Sequence, residues 1–260
     1  MKEQIIKHLG TAPLRESIHY FESIDSTNTQ AKLLAAQGAP AGTVLIADHQ
    51  TGGRGRLGRQ FLSPAGTGIY MSVILRPGCP ASALMHLTCA AAVAVCDAVE
   101  QTAGFRPGIK WTNDLVHGGR KLAGILTELG FGPGGNVAWA VIGVGINCLQ
   151  QPADFAPAIR DMAGSVAMFA PCDRAALAAA MAEALVSMDL SQKDAVLETY
   201  RRDCVTLGRE ISLVRPGSAP RHGRAVDIDA DGGLVVEFSP GVRETVSSGE
   251  VSVRGMYGYL

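Results

Sequence analysis

The segment Gln50-Thr51-Gly52-Gly53-Arg54-Gly55-Arg56-Leu57-Gly58-Arg59 sets three arginines and four glycines in ten residues, a run too flexible and too charged for the interior of a helix or strand. Any fold of this chain must carry the segment at its surface as a loop. Its flanks define the setting. Thr43-Val44-Leu45-Ile46-Ala47 reads as a buried strand before it. After Phe61 and the turn Ser63-Pro64-Ala65-Gly66, the β-forming run Gly68 to Leu75 reads as a second buried strand. Glycine lets backbone N–H groups approach a ligand closely, and Arg54, Arg56 and Arg59 offer forked donors that suit phosphate or carboxylate. The bland alternative is a solvated surface turn. Ordering such a loop costs roughly 1–2 kcal/mol of backbone freedom per residue, so the functional expectation is a lid brought down by an anionic ligand.

A chain of 260 residues can bury a sizeable core, as one large domain or one large plus one small. Its formal net charge of −1 gives no overall attraction to nucleic acid, so the arginine cluster reads as local chemistry and neither DNA nor a membrane is expected as a partner. The six cysteines (79, 89, 96, 148, 172, 204) contain no C-x-x-C pair and no nearby histidine at zinc-ligand spacing, so they are expected to be reduced, and no fixed metal site is expected. The N-terminus lacks the apolar run of a signal peptide and no window reads as a bilayer span, which places the protein in the cytoplasm.

Residues 1–17 read as a polar lead-in, followed by a strand at Ile18-His19-Tyr20-Phe21. A helix is expected from Thr27, with Thr27 and Gln30 as a capping box, to a stop at Gly38. Leu84 to Val99 reads as a core helix that places Cys89 and Cys96 on one face. Residues 121–128 and 137–147 read as further strands, and 173–188 and 193–204 as helices. Beyond Cys204 the pattern changes to short strands near 209–215, 221–229, 233–239 and 242–253, which suits a small β-barrel. The expected organisation is a lead-in (1–17), a catalytic domain (18–205) and a β-barrel domain (206–260).

Four segments stand out together: Asp25-Ser26-Thr27-Asn28; Gln50 to Arg59; Lys110-Trp111-Thr112-Asn113-Asp114-Leu115 with Arg120 to Glu128; and Gly143-Val144-Gly145-Ile146-Asn147. In this order and spacing they resemble the biotin–protein ligase family, and the β-rich tail resembles that family's small SH3-like domain. About 17 residues precede the first motif, so the form expected is the one lacking an N-terminal DNA-binding domain. The resemblance implies an α+β catalytic domain like that of class II aminoacyl-tRNA synthetases. It also implies two reactions: biotin and ATP, with Mg²⁺, give biotinyl-5′-adenylate, and the acyl group then passes to a lysine of a biotin carboxyl carrier protein or domain. Members of the family commonly pair through the catalytic-domain sheet, so a homodimer is possible.

Carried over by position, Ser26, Thr27, Asn28, Gln50, Arg54, Gly55, Arg56 and Lys121 are the implied biotin and adenylate contacts, and Arg56, Phe61, Lys110, Asn113, Asp114 and Asn147 the implied nucleotide side. Arg54, Arg56 and Lys121 suit the joining of two anions, a carboxylate and an α-phosphate, because they offset repulsion as charge develops. Ser26, Thr27 and Gln50 offer the donors and acceptors that a ureido group needs inside a pocket. The acceptor lysine supplies the nucleophile; with a reference pKa of about 10.4, on the order of one lysine in 2,500 is neutral at pH 7, so Asp114 is a candidate base. Simpler readings stand beside these: helix capping for Ser26 to Asn28, a strand-edge lysine for Lys121, an Asx turn for Asn113 and Asp114, and packing for Trp111. His8, His19, His86, His117 and His222 show no partner pattern.

Two positions depart from the family pattern. Thr112 stands where proline is common, which frees a backbone N–H and is expected to loosen the turn aiming Asn113 and Asp114, and Phe61 stands where tryptophan is frequent. A lipoate or octanoate ligase on a related fold is the nearest alternative enzyme, and a biotin-sensing regulator the alternative from another class.

Overall fold

The computed structural model describes residues 1–10, 12–214, 218–247 and 252–255. The stretch expected to be a polar lead-in is instead helical: α1 (Lys2–His8) buries Ile5 and leads to the buried Leu9, and α2 (Ala12–Glu16) buries Leu14. Spaced four apart, Ile5 and Leu9 face the same side and pack with the main core.

β1 (Ile18–Phe21), α3 (Thr27–Ala36) and β2 (Val44–Ala47) form a strand–helix–strand unit in which β1 and β2 pair in parallel. Among the described residues, every other pairing between strands is antiparallel. β3 (Gly68–Leu75) lies beside β2, and the helix expected at Leu84 to Val99 forms as α4 (Leu87–Ala103), ended by Gly104 at φ 75°. Two short strands that the sequence did not announce, β4 (Gly108–Lys110) and β5 (Asp114–His117), precede the long hairpin of β6 (Arg120–Phe131) and β7 (Val137–Asn147). The seven strands run in the order β1-β2-β3-β7-β6-β5-β4.

Period-2 alternation sorts the side chains of this sheet into two layers. Val44, Ile46, Met71, Val73, Ile142 and Val144 join the main core with α4 and α5 (Arg174–Val186), while Leu45, Ile74 and Val141 join a smaller cluster under α3. The main-core helix α4 explains both of its thiols, since Cys89 and Cys96 are buried, and burial pushes the Cys89 thiol up to about 12. The stretch Ala81–Ala103 is long and apolar enough to cross a membrane, contrary to the sequence reading, but 72% of its apolar window is buried in the protein.

α6 (Lys193–Asp203) connects to a second, wholly antiparallel sheet: β8 (Glu210–Val214), β9 (Arg221–Ile228), β10 (Leu234–Ser239), β11 (Val242–Val246) and β12 (Ser252–Gly255). Its order is β11-β10-β9-β8-β12, so the run expected at 242–253 is two strands, and residues 248–251 between them lie outside the described residues. The fold class is α+β with a small C-terminal SH3-like sheet.

Candidate active site

The site lies on the α3 face of the large sheet, beyond the part that α3 covers. There Gly124, Leu126 and Glu128 of β6 stand opposite Gly145, Gly143 and Val141 of β7, so glycines clear the floor of a recess. A cavity of about 660 Å³ opens over it.

Ser26, Thr27 and Asn28 enter from the first turn of α3 and are all buried. The N-cap is Ser26, not Thr27: Ser26 is extended, with its hydroxyl 3.4 Å from the Thr29 N–H, and Gln30 reaches Asp25 Oδ1 rather than the cap. Thr27 is thereby released for another contact. Its N–H and hydroxyl donate to Gln50 Oε1 at 2.9 and 3.1 Å, and Gln50 Nε2 donates to Ser63. The buried Ser72 hydroxyl lies 2.8 Å from Thr27 Oγ1 and 2.6 Å from Asn28 Oδ1, and Asn28 Nδ2 donates to Leu126 O and Glu128 Oε2. A Cβ at Gly143 would overlap Asn28 Oδ1, and one at Gly145 would come within 2.6 Å of the Phe61 ring. The two glycines of G-V-G-I-N thus make room for Asn28 and Phe61.

The Gly/Arg segment is a folded hairpin. Gly52 N–H donates to Asp25 O, Gly55 N–H to Arg59 O and Phe61 N–H to Gly53 O, and Arg56–Gly58 forms one 3-10 turn at the tip. Gly53 admits no side chain, since its Cβ would overlap Phe61 O, and Leu57 takes the left-handed region at φ 55°. Arg54 pairs with Glu128, and Arg56 Nη1 donates to Asn113 Oδ1 at 2.8 Å. Burial lowers the Arg56 pKa, while Asp114 opposes that shift; an arginine so placed stays charged.

The hairpin faces a second group. Lys121 Nζ meets Asp114 Oδ1 at 2.6 Å, and Asn113 is fixed by Nδ2 donating to Ile125 O. The turn carrying Asn113 is tied to the rest of the protein on both sides of Thr112. Trp111 N–H donates to Thr206 Oγ1, Trp111 Nε1 to Gly232 O, and Tyr200 OH to Thr112 O; the Trp111–Thr112 peptide bond is cis.

Of the residues singled out in the sequence, Ser26, Thr27, Asn28, Gln50, Arg54, Gly55, Arg56, Phe61, Lys110, Asn113, Asp114 and Lys121 all line this one cavity. Asn147 does not. Its Nδ2 donates to Gly164 O at 2.9 Å and its Oδ1 accepts from Gln150, so it anchors the segment that brings Met162 to the cavity wall. Sequence reasoning missed Met162, Ser72 and Glu128. Only Glu128 carried a legible signal, because it follows Gly124 and Leu126 at strand period on the same face. Among the described residues the lining holds five basic side chains, Arg54, Arg56, Arg59, Lys110 and Lys121, against one carboxylate, Asp114.

Fold and site together define the class: an α+β domain with a cation-lined cavity above a buried polar floor and a small antiparallel sheet attached. Comparison with known proteins gives the family. Residues 20–147 match the Biotin/lipoate A/B protein ligase family, and residues 206–254 match the Biotin protein ligase C terminal domain. The chain is 35% identical over 234 residues to the biotin–[acetyl-CoA-carboxylase] ligase of Mycobacterium tuberculosis, spanning 87% of this chain and 85% of that protein. It is 34% identical over 248 residues to the bifunctional ligase/repressor BirA of Bacillus subtilis, spanning 92% of this chain and 75% of that protein. Among solved structures, the biotin protein ligase of Aquifex aeolicus in complex with biotin and ATP is similar with a TM-score of 0.75 at 27% identity, over 92% of this chain and 98% of that one. The chain belongs to the biotin protein ligase family.

Proposed function

We propose that this chain is an ATP-dependent biotin–protein ligase. A biotin carboxylate oxygen attacks the α-phosphorus of ATP, forming biotinyl-5′-adenylate and breaking the bond to pyrophosphate. A neutral lysine amine of a biotin carboxyl carrier domain then attacks the acyl carbon, forming the amide and releasing AMP. The observation that carries this reading is the excess of five cations over one carboxylate around a cavity whose floor is a buried polar network.

In this proposal Ser26, Thr27, Asn28 and Gln50 meet the ureido group, and Gly55 lets the hairpin backbone close on the ligand. Arg54, Arg56 and Lys121 offset the charge that builds where carboxylate and phosphate join. Phe61, Lys110, Asn113 and Asp114 form the nucleotide side, and Asn147 supports it through Gly164. The carboxylate of Asp114 is already engaged by Lys121, so among the described residues the cavity offers no ready carboxylate cage for Mg²⁺, which would enter on the nucleotide phosphates. In the second step Asp114 takes the carrier lysine's proton. Asp114→Asn is then expected to slow transfer from preformed adenylate by tenfold or more and activation by less; the reverse order would remove Asp114 from that role.

The proposal extends to a catalytic domain of residues 18–205 joined to the β-domain of 206–260, to a cytoplasmic setting in keeping with six free thiols, and to a homodimer. The deciding experiment is pyrophosphate release from ATP with biotin, lipoate or octanoate, followed by addition of an apo carrier domain. Release with biotin and label on the carrier lysine are expected. Release only with lipoate or octanoate would move the chain to the lipoate branch, and biotin binding without pyrophosphate would make it a sensor.

A further inference from the structure

Glu128 gathers three donors from two separate elements. Lys32 Nζ of α3 lies 2.7 Å from Oε1, Asn28 Nδ2 of α3 donates to Oε2 at 3.1 Å, and Arg54 Nη1 of the hairpin lies 3.3 Å from the carboxylate. Burial alone would raise this carboxyl, but Lys32, Asn28 and Arg54 outweigh it and hold Glu128 below the usual carboxylate range, so it is ionised at neutral pH. The contact with Arg54 uses Nη1. Among the described residues the Nε–Nη2 edge of Arg54 has no protein hydrogen bond, and that edge is the one suited to a bidentate anion. On its other side Glu128 continues through Asn28 to Ser72, in the buried floor of the cavity.

We propose that Glu128 is a positioning residue for biotin activation: it turns the forked edge of Arg54 toward the ligand and ties the Gly/Arg hairpin to the polar floor that holds the ligand's head. This rests on the reading of the cavity as the site of biotin activation. Glu128 is not among the residues that line the cavity. Its effect reaches the ligand through Arg54, while Lys32 supplies the second cation that leaves the cluster net positive.

Two readouts test it. In limited trypsin digestion, cleavage at Arg54, Arg56 and Arg59 is expected to be about tenfold faster in Glu128→Gln than in the wild type, whatever the ligand. In pyrophosphate release at saturating ATP, Glu128→Gln is expected to raise KM for biotin about tenfold, with KM for ATP within twofold. In an Arg54→Ala background the same substitution is expected to add less than twofold. Glu128→Asp keeps the charge but draws the carboxylate back by one methylene and is expected to give about a threefold rise, and Lys32→Met a change within twofold. A biotin KM within twofold of wild type in Glu128→Gln overturns the proposal. So does an equal tenfold loss in both Arg54 backgrounds, which would be a structural effect through α3. If the wild type releases no pyrophosphate with biotin, the function proposed above falls, and the tie between Glu128 and the hairpin is decided by trypsin alone: unchanged cleavage rejects it.

Discussion

Gly143 and Gly145 carry two separate tasks at the scale of a single hydrogen atom in place of a methyl. Gly143→Ala must displace Asn28 and break its contacts with Ser72 and Glu128, which at about 2 kcal/mol corresponds to a loss near 30-fold. The expected result is a biotin KM raised by that factor with the ATP KM nearly unchanged. Gly145→Ala pushes on Phe61 instead, and the ATP KM is expected to rise while the biotin KM moves less. An equal effect of both substitutions on both constants would refute this division. The sequence made the G-x-G-x-N motif conspicuous, but its meaning was not legible, because what matters is which side chain occupies the cleared space. Outside the cavity lining, Asp203 shows charge used for stability. Burial alone would raise its carboxyl, but Arg202 and Arg106 outweigh burial and hold it below the usual range. A depressed folded-state pKa means stability that is present above the unfolded pKa of about 3.9 and is lost as pH falls through the lower folded value. Allowing for solvent screening, Asp203→Asn is expected to cost about 1–2 kcal/mol at pH 7 in urea unfolding, with the gap closing below about pH 4.

At the scale of elements, the hairpin between β2 and β3 holds its shape through its own backbone hydrogen bonds and the Arg54 and Arg56 contacts with β6 and Asn113. Shortening it between Gly52 and Gly58 is expected to leave activation measurable but to let adenylate escape into solution, read as biotinyl-AMP appearing in the filtrate before carrier is added. Full retention would show that it is no lid. Long periodic elements were plain in the sequence: β3, β7, α4 and α5 lie within a few residues of where alternation and apolar spacing put them. Short ones were not. β4 and β5 are three and four residues long, too brief for alternation to register, so the turn at 111–113 hid the start of a strand at Asp114. In α1 the only clue was Ile5 and Leu9 four apart, and one turn of apolar spacing is indistinguishable from chance until a core is there to receive it.

At the scale of the whole molecule, the two sheets meet at the site's own turn. Trp111 Nε1 donates to Gly232 O in the β9–β10 hairpin, and a Cβ on Gly232, already at φ 85°, would come within 2.8 Å of Cys89 Sγ in α4. Trp111→Phe removes one buried hydrogen bond and some volume. It is expected to lower Tm by several degrees and to raise the ATP KM several-fold, because the same turn carries Asn113 and Asp114. A change in Tm alone would separate the β-domain from the nucleotide side. Neighbouring motifs are held in another way on the far side of the cavity. The parallel pairing of β1 and β2 continues past both strands as Ile24 N–H to His49 O, Thr51 N–H to Ile24 O and Gly52 N–H to Asp25 O, so the ladder itself sets Asp25 to Asn28 beside Gln50 and the hairpin. The helix and turn between them span distance but do not set alignment. A residue added at the exposed Pro40 and Ala41 is therefore expected to be tolerated, whereas one residue added between Phe21 and Ser26 or between Ala47 and Gln50 would slide one half of the pocket past the other. The crossover is thus the place where added length is expected to be harmless, and the two strand ends the place where it would break the pocket.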